Sequence, residues 1–184
     1  MILPIVAYGH PVLRKVAEDI TPDYPNLKEL IENMFETMYK AEGVGLAAPQ
    51  VNLPIRLFVM DASPMGDEHE AFKDFKKVFI NAHIVEENGE DWSFSEGCLS
   101  IPGIREDVKR PEQIVLEYYD ENWTFHRNVF TGIPARIMQH EYDHLDGVLF
   151  TDRLTPLKRK LLKSKLTAIS KGQVDTSYRM LLPR

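Results

Sequence analysis

Residues 139–147 read QHEYDHLDG, and His140, Glu141 and His144 form an H-E-x-x-H pattern. On a helix, positions four apart share a face, so both imidazoles can reach one ion. Glu141 lies beside the first of them, where a carboxylate can accept a proton from a metal-activated water without being a ligand. A hydrolytic metal site needs a third protein ligand and an open position. After Glu141 there is no further Glu and after His144 no further His; downstream of the motif only Asp146, Asp152 and Asp175 remain. The third ligand is therefore one of these aspartates or lies upstream. Upstream, the sole cysteine stands out: Cys98, within Glu96-Gly97-Cys98-Leu99-Ser100. The adjoining glycine permits close approach, and a thiolate binds divalent zinc or iron strongly. A solitary cysteine taken alone is more often a buried structural residue. The incomplete His-Glu-His set favours ligation.

These residues need elements to position them. Ile133 to Leu145 keeps helical spacing and Gly147 is placed to end it, so the H-E-x-x-H pattern sits on a helix. Leu27, Leu30, Ile31, Met34, Phe35 and Met38 recur at helical spacing and predict an amphipathic helix over roughly 26–41, stopped near Gly43. GVGLAAPQ (43–50) reads as a loop whose small residues let the backbone pack closely. Strands are expected at 55–61, 77–88, 104–109, 113–120 and 123–131, with turns at Pro111 and Asp120–Asn122 and a polar surface loop at 62–76. A last helix is expected at 155–171, with Thr155 as cap and Pro156 in its first turn. The pattern predicts an α+β fold: mostly antiparallel sheets around the H-E-x-x-H helix, flanked by an N-terminal and a C-terminal helix. A length of 184 residues fits a single catalytic domain over 1–184.

The formal net charge of −6 argues against a specific DNA binder. One cysteine excludes an internal disulfide. The opening MILPIVAYGHPVLRK has no signal-peptide pattern, and no apolar run is long enough to span a membrane. A cytoplasmic enzyme is the simplest class.

Three segments, GVGLAAPQ (43–50), EGCLS (96–100) and QHEYDHLDG (139–147), resemble the signature motifs of bacterial peptide deformylases, in the same order and with similar spacing. HPVLRKVA (10–17) resembles that family's N-terminal segment. The resemblance implies a metal-dependent hydrolase that removes the formyl group from formyl-methionine at the start of nascent polypeptides, releasing formate. It implies Cys98, His140 and His144 as metal ligands and Glu141 as general base and then general acid. The Leu99 N–H and the Gln50 amide would stabilise the oxyanion, and Gly45 would form pocket wall near the formyl group. Ferrous iron is implied in the cell, with zinc, nickel or cobalt as substitutes.

Ile133, Arg136 and Ile137 precede His140 by seven, four and three positions, so they share its face. With Val44 they would wall an apolar slot for an unbranched thioether side chain; Arg136 alternatively snorkels to solvent. Glu42 and Arg110 are either an ion pair tying the first motif to the sheet or two solvated charges. Lys158, Arg159, Lys160, Lys163, Lys165 and Lys171 give the last helix a basic face, opposite Leu157, Leu161, Leu162, Leu166 and Ile169. That face is either solvated or, as the resemblance suggests, a ribosome contact. Two other readings compete. A metallopeptidase needs a downstream ligand of the usual kind, which is missing; a non-enzymatic metal-binding module has no use for Glu141.

Overall fold

The computed structural model describes residues 1–65 and 72–184; the expected polar loop at 62–76 lies partly outside the described residues. The chain folds as α+β. Short strand β1 (Ile5–Val6) precedes helix α1 (Leu27–Lys40), then β2 (Gly45–Ala47) and β3 (Leu57–Asp61). Two long strands, β4 (Lys76–Cys98) and β5 (Ile101–Tyr119), and β6 (Phe125–Thr131) lead into α2 (Gly132–Leu145). Helix α3 (Pro156–Ser170) and β7 (Met180–Leu181) close the order. Strands β2 to β6 form one antiparallel sheet in sequence order, while β7 returns to pair with β1 in parallel.

Helix α1 buries the expected stripe, Ile31, Met34, Phe35 and Met38, against Leu46, Leu57 and Val59 of β2 and β3. Its end differs from expectation by one residue. Glu42, not Gly43, takes the left-handed conformation (φ 59°). The Glu42 N–H bonds the Tyr39 carbonyl and the Gly43 N–H bonds the Met38 carbonyl at 3.0 and 2.9 Å, a Schellman ending. Gly43 is needed for proximity instead, because a Cβ there would lie 2.8 Å from Leu99 Cδ1. A residue at the end of α1 thus packs directly on the segment that carries Cys98.

Strands 104–109 and 113–120 prove to be one strand, with no turn at Pro111. Pro111 stands opposite Asp91, beside a register shift between Asn88 and Asp91 where Gly89 has φ +81°. The bulge absorbs the proline's missing N–H, so β5 runs through it. The expected strand 77–88 likewise continues to Cys98, carried by its pairing with β5. Cys98 pairs with Ile101, so Leu99 and Ser100 alone form the hairpin turn. The turn expected at Asp120–Asn122 is present: the Asp120 carboxylate accepts from the Asn122 and Thr124 N–H groups at 2.9 and 3.0 Å.

Helix α2 packs against β2, β3, β5 and β6. Ala135, Ile137, Met138 and Leu145 join Phe58, Phe79, Ile114 and Leu116 in one core cluster. Covered on several sides, α2 also buries His140, Glu141, Asp143 and His144. Buried polar groups require partners, and these partners are the frame of the site. As expected, Gly147 ends the helix. It has φ +73°, the Val148 N–H bonds the Asp143 carbonyl at 2.9 Å, and a Cβ at Gly147 would lie 2.7 Å from the Arg14 carbonyl oxygen. Both the torsion and the backbone contact oppose any side chain. Gly147→Ala is therefore expected to destabilise the fold by about 1–3 kcal/mol, read as a lower urea midpoint; an unchanged midpoint would contradict this account.

Helix α3 opens as expected, the Thr155 hydroxyl accepting from the Lys158 N–H at 3.3 Å. Only Leu162, Leu166 and Ile169 are buried, against Val6, Leu13 and Phe150; Leu157 and Leu161, expected on the packed side, are exposed. No described helix is long and apolar enough to cross a membrane.

Candidate metal centre

The turn end of β4 and the last two turns of α2 bring Cys98, His140 and His144 together, and their ligand atoms all lie within 4.8 Å of one another. Cys98 Sγ is 3.5 Å from His144 Nε2. Sulfur and nitrogen ligands at tetrahedral angles on one zinc-sized ion would be about 3.6 Å apart, so the pair already has the right separation. His140 Nδ1 is held by Glu96 Oε1 at 2.8 Å, which aims its Nε2 toward the cluster. His144 Nδ1 is buried without a partner among the described residues. Burial keeps His144 well below the ordinary imidazole value, with His140 and Arg110 acting the same way, so its lone pair is free near neutrality. Burial also pulls His140 down, but its bonds to Cys98 and Glu96 outweigh this and raise it. A cation at the cluster would oppose that protonation. The donor set fits a divalent ion. The candidate aspartates do not enter the cluster: Asp146 pairs with Arg56 at 3.0 Å and Asp152 with Arg14, while Asp175 lines the pocket outside the ligand set.

Glu141 sits on the same helix and is 4 % exposed. Its Oε1 is 3.9 Å from His140 Nε2 and its Oε2 is buried without a partner among the described residues. Burial pushes its pKa up to about 7, against the attraction of His140 and Arg110. Gly45 of β2 passes directly over this carboxylate; a Cβ at Gly45 would lie 2.9 Å from Glu141 Oε1. Gln50, almost fully buried at 1 % exposure, has its carbonyl oxygen fixed by the Ala47 N–H at 3.0 Å. Its amide nitrogen lies 3.4 Å from Cys98 Sγ and 3.2 Å from Ser100 Oγ. The structure thus gathers every residue singled out from the three segments.

A pocket of about 670 Å³ opens onto this cluster, lined by Val44, Gly45, Leu99, Ile133, Ile137 and Glu141 among others. Arg136 reaches it too, but neither as apolar wall nor at the surface. It is 2 % exposed; its guanidinium donates to Glu96 Oε2 at 2.9 Å and to the Val108 carbonyl at 2.8 Å, and stacks 4.6 Å from the Trp92 ring. The candidate Glu42–Arg110 pair does not form, and Arg110 is not solvated either. Arg110 is fully claimed elsewhere, bonding both oxygens of Glu96 at 2.8 and 2.9 Å and Asp143 at 2.8 Å. Arg153 closes the chain with two bonds of 2.7 Å to Asp143.

This buried network was not foreseen. Glu96 was visible only as a neighbour of Cys98, and Asp143 as a filler position within H-E-x-x-H. The hydroxyl of Tyr178, also unforeseen, donates to the Leu99 carbonyl at 2.6 Å, and burial keeps it a donor by pushing its pKa up to about 12.

The chain matches the model of the polypeptide deformylase family over residues 2–160. It is 57% identical over 190 residues to the peptide deformylase of Christiangramia forsetii, covering all of this chain and 97% of that protein. It is 59% identical over 189 residues to that of Flavobacterium psychrophilum, covering 99% and 97%. Among solved structures, the peptide deformylase of Thermus thermophilus superposes with a TM-score of 0.82 at 41% identity, over 94% of this chain and 99% of that one. That of Legionella pneumophila gives 0.81 at 36%, over 94% and 98%. With a family match across most of its length and close relatives along all of it, the chain belongs to the polypeptide deformylase family.

Proposed function

We propose that Cys98, His140 and His144 hold one divalent ion and that the protein hydrolyses the N-formyl group of nascent formyl-methionyl polypeptides, releasing formate, as one catalytic unit over 1–184. The observation that carries this is three mixed sulfur and nitrogen ligands within 4.8 Å, two of them lining a pocket, with the buried Glu141 carboxylate beside them. When bound, the ion acidifies a water and so supplies a nucleophile near neutral pH.

The protein's own groups do the rest. Glu141 takes the proton from the attacking water and returns it to the departing amine. Its burial and its place beside the ligand set, without belonging to it, suit this exchange. Attack on the formyl carbon builds negative charge on the formyl oxygen. Leu99 and Gln50 both line the pocket, and the Leu99 N–H and the Gln50 amide are the donors for that charge; a fixed donor of this kind lowers the barrier by about 3–4 kcal/mol. Gln50 is held at its carbonyl end, so little reorientation remains. Gly45 lets the backbone approach the Glu141 carboxylate closely and forms pocket wall near the formyl group. Val44, Ile133 and Ile137 accept the methionine side chain, with Arg136 beneath them binding Glu96 rather than substrate.

Ferrous iron is the proposed cellular metal, zinc, nickel or cobalt substituting, and a cytoplasmic site is proposed with it. A ribosome contact through the exposed lysines of α3 is part of the same reading. The test is formate release from a formyl-methionyl tripeptide, beside the acetylated peptide and an unmodified one. Formate is expected from the first alone, with no internal cleavage; cleavage of the unmodified peptide would favour a metallopeptidase. For the metal, protein purified in air is expected to lose activity as iron or the Cys98 thiolate is oxidised, and anaerobic iron loading to restore it. Equal, air-stable activity with zinc would count against iron.

A further inference from the structure

We propose that Tyr178, on the C-terminal tail, is a positioning residue that holds the Leu99–Ser100 turn in its working orientation; this rests on the deformylase reading. The turn has unusual duties for its size. It connects β4 to β5 with two residues, follows Cys98 directly, and carries the Leu99 N–H. Short turns can rotate their peptide planes unless something holds them. Here three segments distant in sequence do so. Gln50 donates to Ser100 Oγ from one side, the Tyr8 N–H donates to the Ser100 carbonyl at 2.9 Å from another, and Tyr178 donates to the Leu99 carbonyl at 2.6 Å.

The tail is itself anchored, so it can impose an orientation. β7 pairs with β1, the Ile5 N–H bonding the Arg179 carbonyl at 2.9 Å and the Ala7 N–H bonding the Leu181 carbonyl at 2.8 Å. Thr176 Oγ1 bonds the Tyr178 carbonyl at 2.6 Å, stiffening the approach. Asp175 to Tyr178 also line the pocket, so the tail is part of its wall. Peptide groups are rigid planes. Fixing the Leu99 carbonyl therefore fixes the Leu99–Ser100 peptide plane; the Leu99 N–H lies in the preceding plane, and in a turn of two residues between the paired Cys98 and Ile101, holding one plane limits the rotation left to the other. A donor matters to catalysis only if it is already oriented when charge develops.

The experiment is Tyr178→Phe, which keeps the ring and removes the bond. Metal-loaded wild type and variant are compared for formate release from a formyl-methionyl tripeptide, metal content, and hydrogen exchange of the Leu99 and Ser100 amides. The expected result is kcat lower by about 3–10-fold, the effect of one neutral hydrogen bond. KM should stay within about twofold, because the interaction improves in the transition state. Metal content should be unchanged and exchange at the turn faster. Wild-type kcat in the variant overturns the proposal, as does a loss confined to KM or accompanied by an equal loss of metal. Formate release absent from wild type would instead overturn the functional reading, and unchanged exchange would then still overturn the hold of Tyr178 on the turn.

Discussion

Replacing Glu141 with Gln is expected to lower kcat/KM by about 10²–10⁴-fold while leaving the metal in place, because the change removes a proton acceptor and not a ligand. In free energy this is about 3–5 kcal/mol of transition-state stabilisation. The side chains are nearly isosteric, so the close contact with Gly45 is kept. The sign of the pH effect follows from the role. The acting form is the carboxylate, so wild-type kcat/KM falls as pH drops through the value of Glu141. Burial drives that value up, and a cation in the adjacent cluster draws it down. The variant has nothing to titrate there, so its residual rate should lose this acidic limb. The check is a pH profile with metal analysis of both proteins. Near-wild-type rates in the variant, or a loss matched by loss of metal, would remove Glu141 from its proposed role.

Glu96→Ala is expected to have the largest effect on stability. Glu96 is 5 % exposed and receives Arg110 through two bonds, Arg136 through one and His140 through another. Without it, Arg136 would lose its carboxylate partner, and Arg110 and Arg153 would be left to share Asp143. Breaking a buried pair by removing one partner costs about 3–5 kcal/mol, which for a chain of this size lowers Tm by roughly 6–20 °C. The same substitution frees His140 Nδ1, and loss of such an orienting partner weakens metal binding by about 10–100-fold. Burial opposes ionisation of Glu96, but its bonds to His140 and Arg110 prevail and hold its carboxyl well below the ordinary 4.5. A depressed carboxyl stabilises the fold above its unfolded value and loses that contribution as pH falls toward its folded one. The stability gap between wild type and Glu96→Ala should therefore be full near neutrality and narrow below about pH 4.5. Denaturant titrations at several pH values measure it; a gap that widens in acid would contradict the assignment.

Local chemistry made much of this protein readable in its sequence. Two histidines and a glutamate on one helix declare themselves through helical periodicity, which depends only on neighbouring residues. The amphipathic stripe of α1 and the glycine that ends α2 were visible for the same reason. The motif lacks the usual downstream Glu or His ligand, which leaves three aspartates or the lone Cys98, and the three short segments resemble those of one family. The errors share a cause as well. Pro111 signals a turn in isolation, but pairing with β4 and a bulge opposite Asp91 carry β5 straight through it. Leu157 and Leu161 fit an apolar face by composition, yet α3 buries only the narrower stripe of Leu162, Leu166 and Ile169 that joins Val6, Leu13 and Phe150 in one core cluster. Glu42 and Arg110 have complementary charges, but Glu96 and Asp143 lie closer once β4, β5 and α2 are assembled. What tertiary structure alone decided is how the site is held. Glu96 against His140, Gln50 against Ser100 and Tyr178 against Leu99 are contacts between residues far apart in sequence. Their energies depend on burial and distance, and no local pattern encodes either.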